Sequence, residues 1–334
     1  MKKSIVIYLT LFALCLILCQ SCQKKGESGV QSNAVYYWRT TLRLDDAEKA
    51  FLKDHNVTKM YLRFFDVVPD YDCGAIPNGT LIFNDTLPEG LEIVPTVFID
   101  GEAIKSYSEY KDKLLNRICA MAEINNITFN EIQIDCDWTK SGRDSYFAFM
   151  KEFREILKEK GLKLSATIRC FQLNDTPPAA DYGVLMCYNT GDIESWYTTN
   201  SIIDIEDIKR YIKALKKYDL PLSVALPTYS WNLAFNSEKE FLQIRYNTLD
   251  FSDRAEFEDL GSNCYMKIFP PDKEIYPWDE CFYRHEDAPI DVLLKVKELV
   301  EANLRHPVNQ TVIYELDSDD LTKYSKNEID KIYR

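Results

Sequence analysis

Two acidic residues at alternate positions of one apolar run could carry chemistry. Residues 131–139 read EIQIDCDWT, and the two-residue period of a strand places Asp135 and Asp137 on the same face. A strand of a parallel sheet is normally apolar on both faces, so two acids at consecutive inward positions need a reason. Like charges about 6–7 Å apart raise the pKa of the deeper carboxyl. That arrangement suits proton transfer or the orientation of a polar substrate group.

A structural role for the same two acids is the alternative. Arg63 or Arg169 could hold them as an ion-pair network, or water could solvate them at the end of the strand. Both readings require the strand to run inside a parallel sheet, with its carboxyl end at an open edge.

Other polar and aromatic candidates occur where further predicted strands end. Aromatic rings beside carboxylates and arginines are typical of a sugar-binding cleft, because ring faces cover the apolar faces of pyranoses and fixed polar groups bind hydroxyls. The candidates are Trp38, Arg39, Arg63, Asp66, Asp100, Arg169, Gln172, Tyr229, Trp231, Glu315 and Asp317.

Glu315 is the candidate with two opposed roles. If its carboxyl reaches the centre of the cleft, it could form a catalytic carboxylate pair with Asp137. It could instead hold Arg39 or Arg63 in a ring of ion pairs, and this second role is slightly favoured.

Eight apolar runs that could be strands position these side chains. They alternate with segments of helical periodicity from residue 34 onward, and this rhythm predicts a single (β/α)8 barrel of the TIM type. A doubly wound open sheet is the alternative, but residues 39–41 lack the Gly-rich turn that such a sheet commonly has after strand 1. The predicted strands are residues 35–42, 59–67, 91–100, 131–139, 162–171, 183–189, 220–231 and 310–317.

Two connections depart from the regular pattern. Residues 69–90 are rich in Pro, Gly and Asn, which indicates a loop or small hairpin in place of a full helix. Residues 229–288, after strand 7, form a long insertion rich in aromatics. Long insertions of this kind lie on the catalytic face of a barrel and would wall a substrate cleft.

Helix signals agree with this order. Tyr146, Met150, Phe153 and Leu157 fall on one stripe of a helix after strand 4. Asp45–Asp46 predicts a helix cap after strand 1. Ser106 with Glu109 predicts a capping box after strand 3, and the acids at 317, 319 and 320 predict the cap of the final helix rather than a calcium loop.

The first 33 residues predict export and attachment to a membrane. Residues 1–21 carry Lys2 and Lys3 ahead of a short apolar run, which is typical of a signal peptide. The small residue before Cys22 resembles the lipobox of bacterial lipoproteins, which implies lipidation of Cys22. Residues 22–33 are polar and would tether a barrel formed by residues 34–334. The expected location is the bacterial cell envelope, periplasmic or surface-exposed, with the membrane contacted only through the lipid.

Composition excludes several classes of protein. The 334 residues are 46% apolar, and 40 Lys and Arg face 53 Asp and Glu, for a net charge of −13. An acidic chain repels phosphate backbones, so no nucleic-acid partner is expected. Three His and no Cys-x-x-Cys pair after Cys22 argue against a metal site built on His, and no cofactor is predicted. Seven cysteines remain after Cys22 and cannot all pair; one bridge among Cys73, Cys264 and Cys281 is left open.

Two strands resemble a known family. Asp135-Cys136-Asp137-Trp138-Thr139 is similar to the Asp-x-Asp-x-Glu motif of family 18 glycoside hydrolases, and residues 183–189, GVLMCYN, are similar to the Met-x-Tyr-Asp/Asn of strand 6 of that family. The resemblance implies that Asp137 and Tyr188 would hold a substrate acetamido group that acts as nucleophile. The general acid of the family is a Glu, and Thr139 stands in its place, so the standard mechanism does not carry over intact.

Residues 133–167 resemble a group of uncharacterised bacterial lipoproteins with a glycosidase-like barrel. Together the resemblances imply a lipid-anchored barrel that binds or hydrolyses a glycan, possibly one that contains N-acetylhexosamine. Any catalysis would be glycoside hydrolysis; the alternatives are a non-catalytic carbohydrate-binding protein and a scaffold with a structural acid pair. The expected catalytic residues are Asp135, Asp137, Tyr188 and Glu315. The expected substrate-binding residues are Trp38, Arg63, Asp66, Arg169, Gln172, Met186, Asn189, Tyr229 and Trp231.

Overall fold

Eight parallel strands close into a barrel. The computed structural model describes residues 32–246 and 249–334, and in it each barrel strand pairs with the next while the first pairs with both the second and the eighth. The predicted single (β/α)8 barrel is therefore confirmed. The strands are β1 Ser32–Tyr37, β2 Val57–Asp70, β3 Glu92–Ile99, β4 Glu131–Cys136, β5 Lys163–Arg169, β6 Tyr182–Met186, β7 Leu222–Pro227 and β8 Pro307–Tyr314.

Helices cover the outside of most strands. No helix among the described residues is long and apolar enough to cross a membrane. The helices are α1 Asp46–Asp54, α2 Tyr107–Ile124, α3 Arg143–Glu159, α4 Ile205–Lys209, α5 Ile212–Leu215, α6 Ile290–Glu301, α7 Ser318–Leu321 and α8 Lys326–Tyr333. Short 3₁₀ turns lie at Ala103–Ser106 and Cys170–Asn174.

The core has two layers, as strand alternation requires. The outer layer lies between sheet and helices, and α3 contributes the predicted stripe of Tyr146, Met150, Phe153 and Leu157 to it, all buried. The inner layer fills the barrel and is rich in aromatics, with Tyr36 and Tyr61 stacked at a ring-centroid distance of 5.0 Å. At the carboxyl ends of the strands this inner layer continues into the polar and aromatic side chains described below.

The two irregular connections were correctly located from the sequence. After β2 the chain forms a hairpin whose second strand, Gly74–Asn78, pairs antiparallel with β2, and no helix follows. A short strand, Ile82–Phe83, pairs with Thr41–Leu42. The insertion after β7 is an antiparallel sheet of five strands. In chain order these are Trp231–Phe235, Phe241–Arg245, Phe257–Gly261, Cys264–Lys267 and Phe282–Glu286.

The predicted caps had different outcomes. Asp45 accepts from the Glu48 amide while the Glu48 side chain accepts from the Asp45 amide, so a capping box begins α1. The acids around Asp317 do not cap the final helix: Asp317 caps the short helix α7, and a capping box of Ser325 and Glu328 begins α8. The capping box at Ser106 was wrong, because a 3₁₀ turn leads directly into α2 and the Ser106 hydroxyl donates to the Ala103 carbonyl instead.

The predicted leader, the predicted lipidation site Cys22 and most of the predicted tether lie outside the described residues. The start of β1 at Ser32 comes two residues before the predicted barrel boundary. All seven remaining cysteines are described, and all are free thiols, including Cys73, Cys264 and Cys281.

Candidate functional site

A pocket of about 280 Å³ opens where the barrel strands end. Its walls come from β1 through β6 and from β8, so it is centred over the barrel. Most of the residues expected from the sequence line it: Trp38, Arg63, Asp66, Asp135, Asp137, Arg169, Met186, Tyr188 and Asn189.

Arg169 binds both acids of the β4 motif. Its Nε donates to Asp137 Oδ1 at 2.6 Å and its Nη2 donates to Asp137 Oδ2 at 3.2 Å. The same Nη2 lies 3.6 Å from Asp135 Oδ1. The guanidinium therefore forms a two-point contact with Asp137, a geometry that fixes the orientation of the carboxyl group.

The two acids differ in their surroundings. Asp135 is only 2% exposed and accepts a 2.5 Å hydrogen bond from the Thr167 hydroxyl. Burial raises the pKa of Asp135, and the neighbouring Arg169 opposes that rise. The Asp137 side chain is 49% exposed and can meet a ligand directly.

Arg63 and Asp66 form a second ion pair on the opposite side of the pocket. Arg63 Nε donates to Asp66 Oδ1 at 2.8 Å and its Nη2 binds the other oxygen. Both side chains reach the pocket although they lie three residues apart, because the register of β2 against β3 shifts between Arg63 and Phe65. Such a bulge changes which residues face inward. The guanidinium also donates to the Trp38 carbonyl at 3.2 Å.

Aromatic rings form the remaining wall. Tyr188 stacks on Tyr314 at 4.9 Å between centroids and meets Tyr229 edge-on at 6.2 Å. The Tyr229 hydroxyl donates to Asn189 Oδ1. Tyr188 is 3% exposed, and its hydroxyl has no hydrogen-bond partner among the described residues. A buried hydroxyl without a partner is costly, and a ligand group in the pocket would satisfy it.

A larger pocket of about 610 Å³ adjoins the first. The two share Trp38, Asn189 and Tyr314. Glu315 lines the larger pocket, and its Oε2 accepts from the Trp38 amide at 3.1 Å. Burial raises the pKa of Glu315 to about 7, with Asp317 adding to the rise.

Several solved structures with the same architecture are chitinases. A chitinase from Chromobacterium violaceum aligns with a TM-score of 0.58 at 13% identity, covering 91% of this chain and 99% of that one. A GH18 chitinase from the chitin utilization locus of Flavobacterium johnsoniae aligns at 0.52 and 17%, covering 91% and 94%. The class V chitinase from Nicotiana tobaccum, solved as a mutant in complex with NAG4, aligns at 0.54 and 9%, covering 91% and 99%.

The chain shares its barrel fold with family 18 chitinases. At these identities the likeness establishes the fold alone. No protein-family model matches the sequence, and no curated protein matches it.

Thr139, which the sequence resemblance aligns with the acid of family 18, lies outside the smaller pocket. Strand β4 ends at Cys136, so the alternation that aims Asp135 inward stops before residue 139. Thr139 is exposed and its hydroxyl lies 2.9 Å from that of Ser141. The carboxylates that do line the smaller pocket are Asp66, Asp135 and Asp137.

The favoured ring of ion pairs around Glu315 was wrong. Arg39 instead binds Glu48 at 2.5 Å and lies over the Tyr37 ring, and Arg63 binds Asp66. The cause is that Arg39 lies after the end of β1, beside α1, the helix that carries Glu48. Glu315 lies after the end of β8 and lines the larger pocket, whereas Asp137 lines the smaller one.

Three further candidates lie elsewhere than expected. The Gln172 side chain accepts from the Arg169 amide and donates to the Cys136 carbonyl, so it links β5 to β4 outside the pocket. Asp100 caps the turn that follows β3 through the Glu102 amide. Trp231 lines the larger pocket but is largely buried.

Several contributing residues escaped the sequence reasoning. Phe98 and Tyr314 line the smaller pocket, and Tyr246 lines the larger one. Inward parity along β8 would have identified Tyr314, which stands two residues after the buried Val312. Glu286 was also missed; its carboxylate accepts from Trp231 Nε1 at 2.8 Å and fixes that ring. No local pattern marks it, since the contact spans the insertion.

Among the described residues, no group of three or more His, Cys, Asp or Glu side chains could hold a metal ion. The chemistry on view is therefore that of carboxylates, guanidinium groups, hydroxyls and aromatic rings.

Proposed function

We propose that this chain is a lipid-anchored protein of the bacterial envelope whose barrel binds a glycan, without hydrolysing it, at the ends of the strands. The observation that carries the proposal is the two-point contact of Arg169 with Asp137, beside a Thr at the position of the family acid. Glycoside hydrolysis needs a protonated acid next to the scissile oxygen. In the smaller pocket both oxygens of Asp137 bind Arg169 and both oxygens of Asp66 bind Arg63, so each carboxyl group is already engaged by a guanidinium.

The same pocket is suited to binding a sugar. Tyr188, Tyr314 and Trp38 offer ring faces and edges, while Asn189 and the exposed oxygens of Asp137 offer acceptors. The unpartnered hydroxyl of Tyr188 would gain a hydrogen bond from a bound ligand. By resemblance to family 18 enzymes, the ligand would contain N-acetylhexosamine.

Attachment to the membrane rests on the leader alone. A signal peptide of residues 1–21 followed by Cys22 supports a lipid anchor, with the polar residues that follow as tether. Such an anchor would hold the barrel at the envelope surface, where it could capture glycan fragments.

Hydrolysis through Glu315 is the second candidate. Its pKa of about 7 keeps much of it protonated near neutral pH, as a general acid requires. It lines the larger pocket, which shares Trp38 and Tyr314 with the smaller one. This candidate predicts turnover that disappears in Glu315→Gln, whereas the binding proposal predicts none in either protein.

A binding titration tests the proposal. The wild type should bind chitotetraose in calorimetry, and Asp137→Asn should weaken binding roughly tenfold, about 1.4 kcal/mol, because a charged acceptor in the pocket becomes a neutral one. Asp112→Asn, an exposed position on α2, is the matched control and should leave the affinity unchanged. If Asp137→Asn alters the binding of no glycan, the acid pair is structural and the scaffold alternative stands.

A further inference from the structure

Two buried cysteines lie side by side just below the pocket. Arg169 pairs with Met186 in the parallel register of β5 against β6. Cys170 and Cys187 directly follow this pair: Cys170 begins the 3₁₀ turn after β5, and Cys187 follows the last residue of β6. Both side chains belong to the outer core, between the sheet and the helices. They are 7% and 0% exposed.

The two thiols are in each other's immediate surroundings. Cys170 Sγ donates to the carbonyl of Met186, the residue directly before Cys187, at 3.4 Å. A hydrogen bond with Cys170 is the main cause that raises the pKa of the Cys187 thiol, followed by burial. Neighbouring strands lie about 4.7–4.9 Å apart, within the roughly 4.4–6.8 Å between Cα atoms that a disulfide requires.

We propose that Cys170 and Cys187 form a disulfide when the chain folds in an oxidising compartment. The bridge would tie the end of β5, which carries Arg169, to the end of β6, which carries Tyr188 and Asn189. It would thereby fix the spacing of the groups that face the ligand. The proposal depends on the envelope location proposed above only for where the bridge forms in the cell.

The chemistry is thiol–disulfide exchange with a disulfide-bearing oxidant of the envelope. The Cys170 thiolate attacks the oxidant's disulfide, forming a mixed disulfide and releasing one oxidant thiol. The Cys187 thiolate then attacks Cys170 Sγ and releases the second. Two protons leave the cysteines, and two electrons reduce the oxidant's disulfide to two thiols. Because both cysteines are buried in the native state, exchange precedes closure of the barrel.

Cys136 is a buried cysteine on a barrel strand that has no such thiol partner among the described residues. It lies opposite Ile99 on β3, and the pairing of β4 with β5 ends two residues earlier, at Ile134 opposite Ala166. Cys136 therefore serves as an internal control for a buried cysteine that stays reduced.

Peptide mapping tests the proposal. The full chain is produced in two ways: exported with its own leader in a bacterial host, and refolded in a glutathione redox buffer. Each sample is denatured, alkylated without reduction and cleaved with trypsin. Cleavage after Arg169 and Lys209 leaves both cysteines in one peptide, residues 170–209. That peptide should be unalkylated and lighter by two hydrogens than its reduced form, while Cys136 should be alkylated.

The two preparations test the disulfide bond and the oxidising location of the protein separately. A bridge in the refolded chain alone supports the pairing and argues against an oxidising location. Alkylation of Cys170 and Cys187 in both preparations, or a bridge from either to another cysteine, would overturn the proposal. Prior reduction should lower the Tm of the bridged wild type by several degrees and leave that of Cys170→Ala unchanged; an equal fall in both would also contradict it.

Discussion

Arg169 has the largest effect of any single residue on the charge of the pocket. Its guanidinium stands between a buried carboxylate, Asp135, and a half-exposed one, Asp137. The carboxylates raise the pKa of Arg169 against the opposing effect of burial, so the cation is retained. The acid pair that looked like proton-transfer machinery in the sequence is in this way partly neutralised.

Removal of Arg169 should destabilise the protein. Arg169→Leu leaves Asp135 buried with Thr167 as its remaining direct partner, and breaking a buried ion pair costs about 3 kcal/mol. Urea denaturation measures this loss. Arg143→Leu removes a comparable two-point contact with Asp175 at the surface, and its loss should be much smaller. Equal losses in the two variants would show that Asp135 gains nothing from Arg169.

Glu315 should make stability depend on pH. Burial raises its pKa from 4.5 to about 7, so the folded state holds this proton more tightly than the unfolded chain does. The stabilisation is complete below about pH 4.5 and is lost as the pH rises through 7. The unfolding free energy of the wild type, relative to Glu315→Gln, should therefore be larger at pH 5 than at pH 8.

Denaturant titrations at the two pH values measure that difference. Asp112→Asn controls for the general effect of removing one negative charge. A difference that is flat with pH for Glu315→Gln, or as large for Asp112→Asn, would contradict the buried environment of Glu315.

The sequence predicted the site best where the two-residue period of a single strand decided which side chains face inward. Alternation along residues 131–139 correctly places Asp135 with Gln133 on the inward face, where Gln133 accepts from the Tyr36 hydroxyl. It failed for Thr139, since the strand ends at Cys136. The predicted partners of Glu315 and Arg39 were wrong because they rested only on the proximity of strand ends at the rim, whereas Arg39 binds Glu48 and Arg63 binds Asp66.

At the scale of elements, two similar capping patterns in the sequence had different outcomes in the structure. Asp45 and Glu48 form a reciprocal capping box at α1. The same type of pattern at Ser106 is not used, because a 3₁₀ turn already occupies the preceding residues. A capping pattern fixes a helix start only when the chain enters it in an extended conformation.

Substitution of the two candidate caps should therefore give unequal losses. Asp45→Ala removes a cap bond and an acceptor for the Ser318 hydroxyl, and should cost about 1 kcal/mol. Ser106→Ala removes only a local bond to the Ala103 carbonyl and should cost less. Thermal denaturation of both variants checks this; a larger loss for Ser106→Ala would mean that the cap assignment is wrong.

The strand boundaries were predicted less well than the strands. Strand β2 extends to Asp70 because its hairpin partner continues the pairing, whereas β7 ends at Pro227, well before the predicted residue 231. Trp231 instead begins the insertion sheet, which is held by Glu286 and Arg284. The contact between Trp231 and Glu286 joins residues 55 positions apart, and no local period records it.

At the scale of the whole molecule, the alternation of strands and helices was sufficient to predict the barrel. Eight units without a Gly-rich phosphate turn leave few other architectures. The barrel in turn brings residues from all parts of the chain to one rim, so the site is a property of the closed fold. The sequence could not predict which carboxylates form ion pairs with which arginines at that rim. In the proposal, these ion pairs are the basis for preferring glycan binding over hydrolysis.

One combined measurement tests the central claim that the barrel binds a glycan without cleaving it. Chitotetraose is titrated into the wild-type protein by calorimetry, and the same samples are then incubated and analysed for shorter products. The account predicts saturable binding, weakened in Asp137→Asn, with the tetramer recovered intact. Release of shorter products by the wild type, lost in Glu315→Gln, would contradict it and establish Glu315 as the acid of a hydrolase.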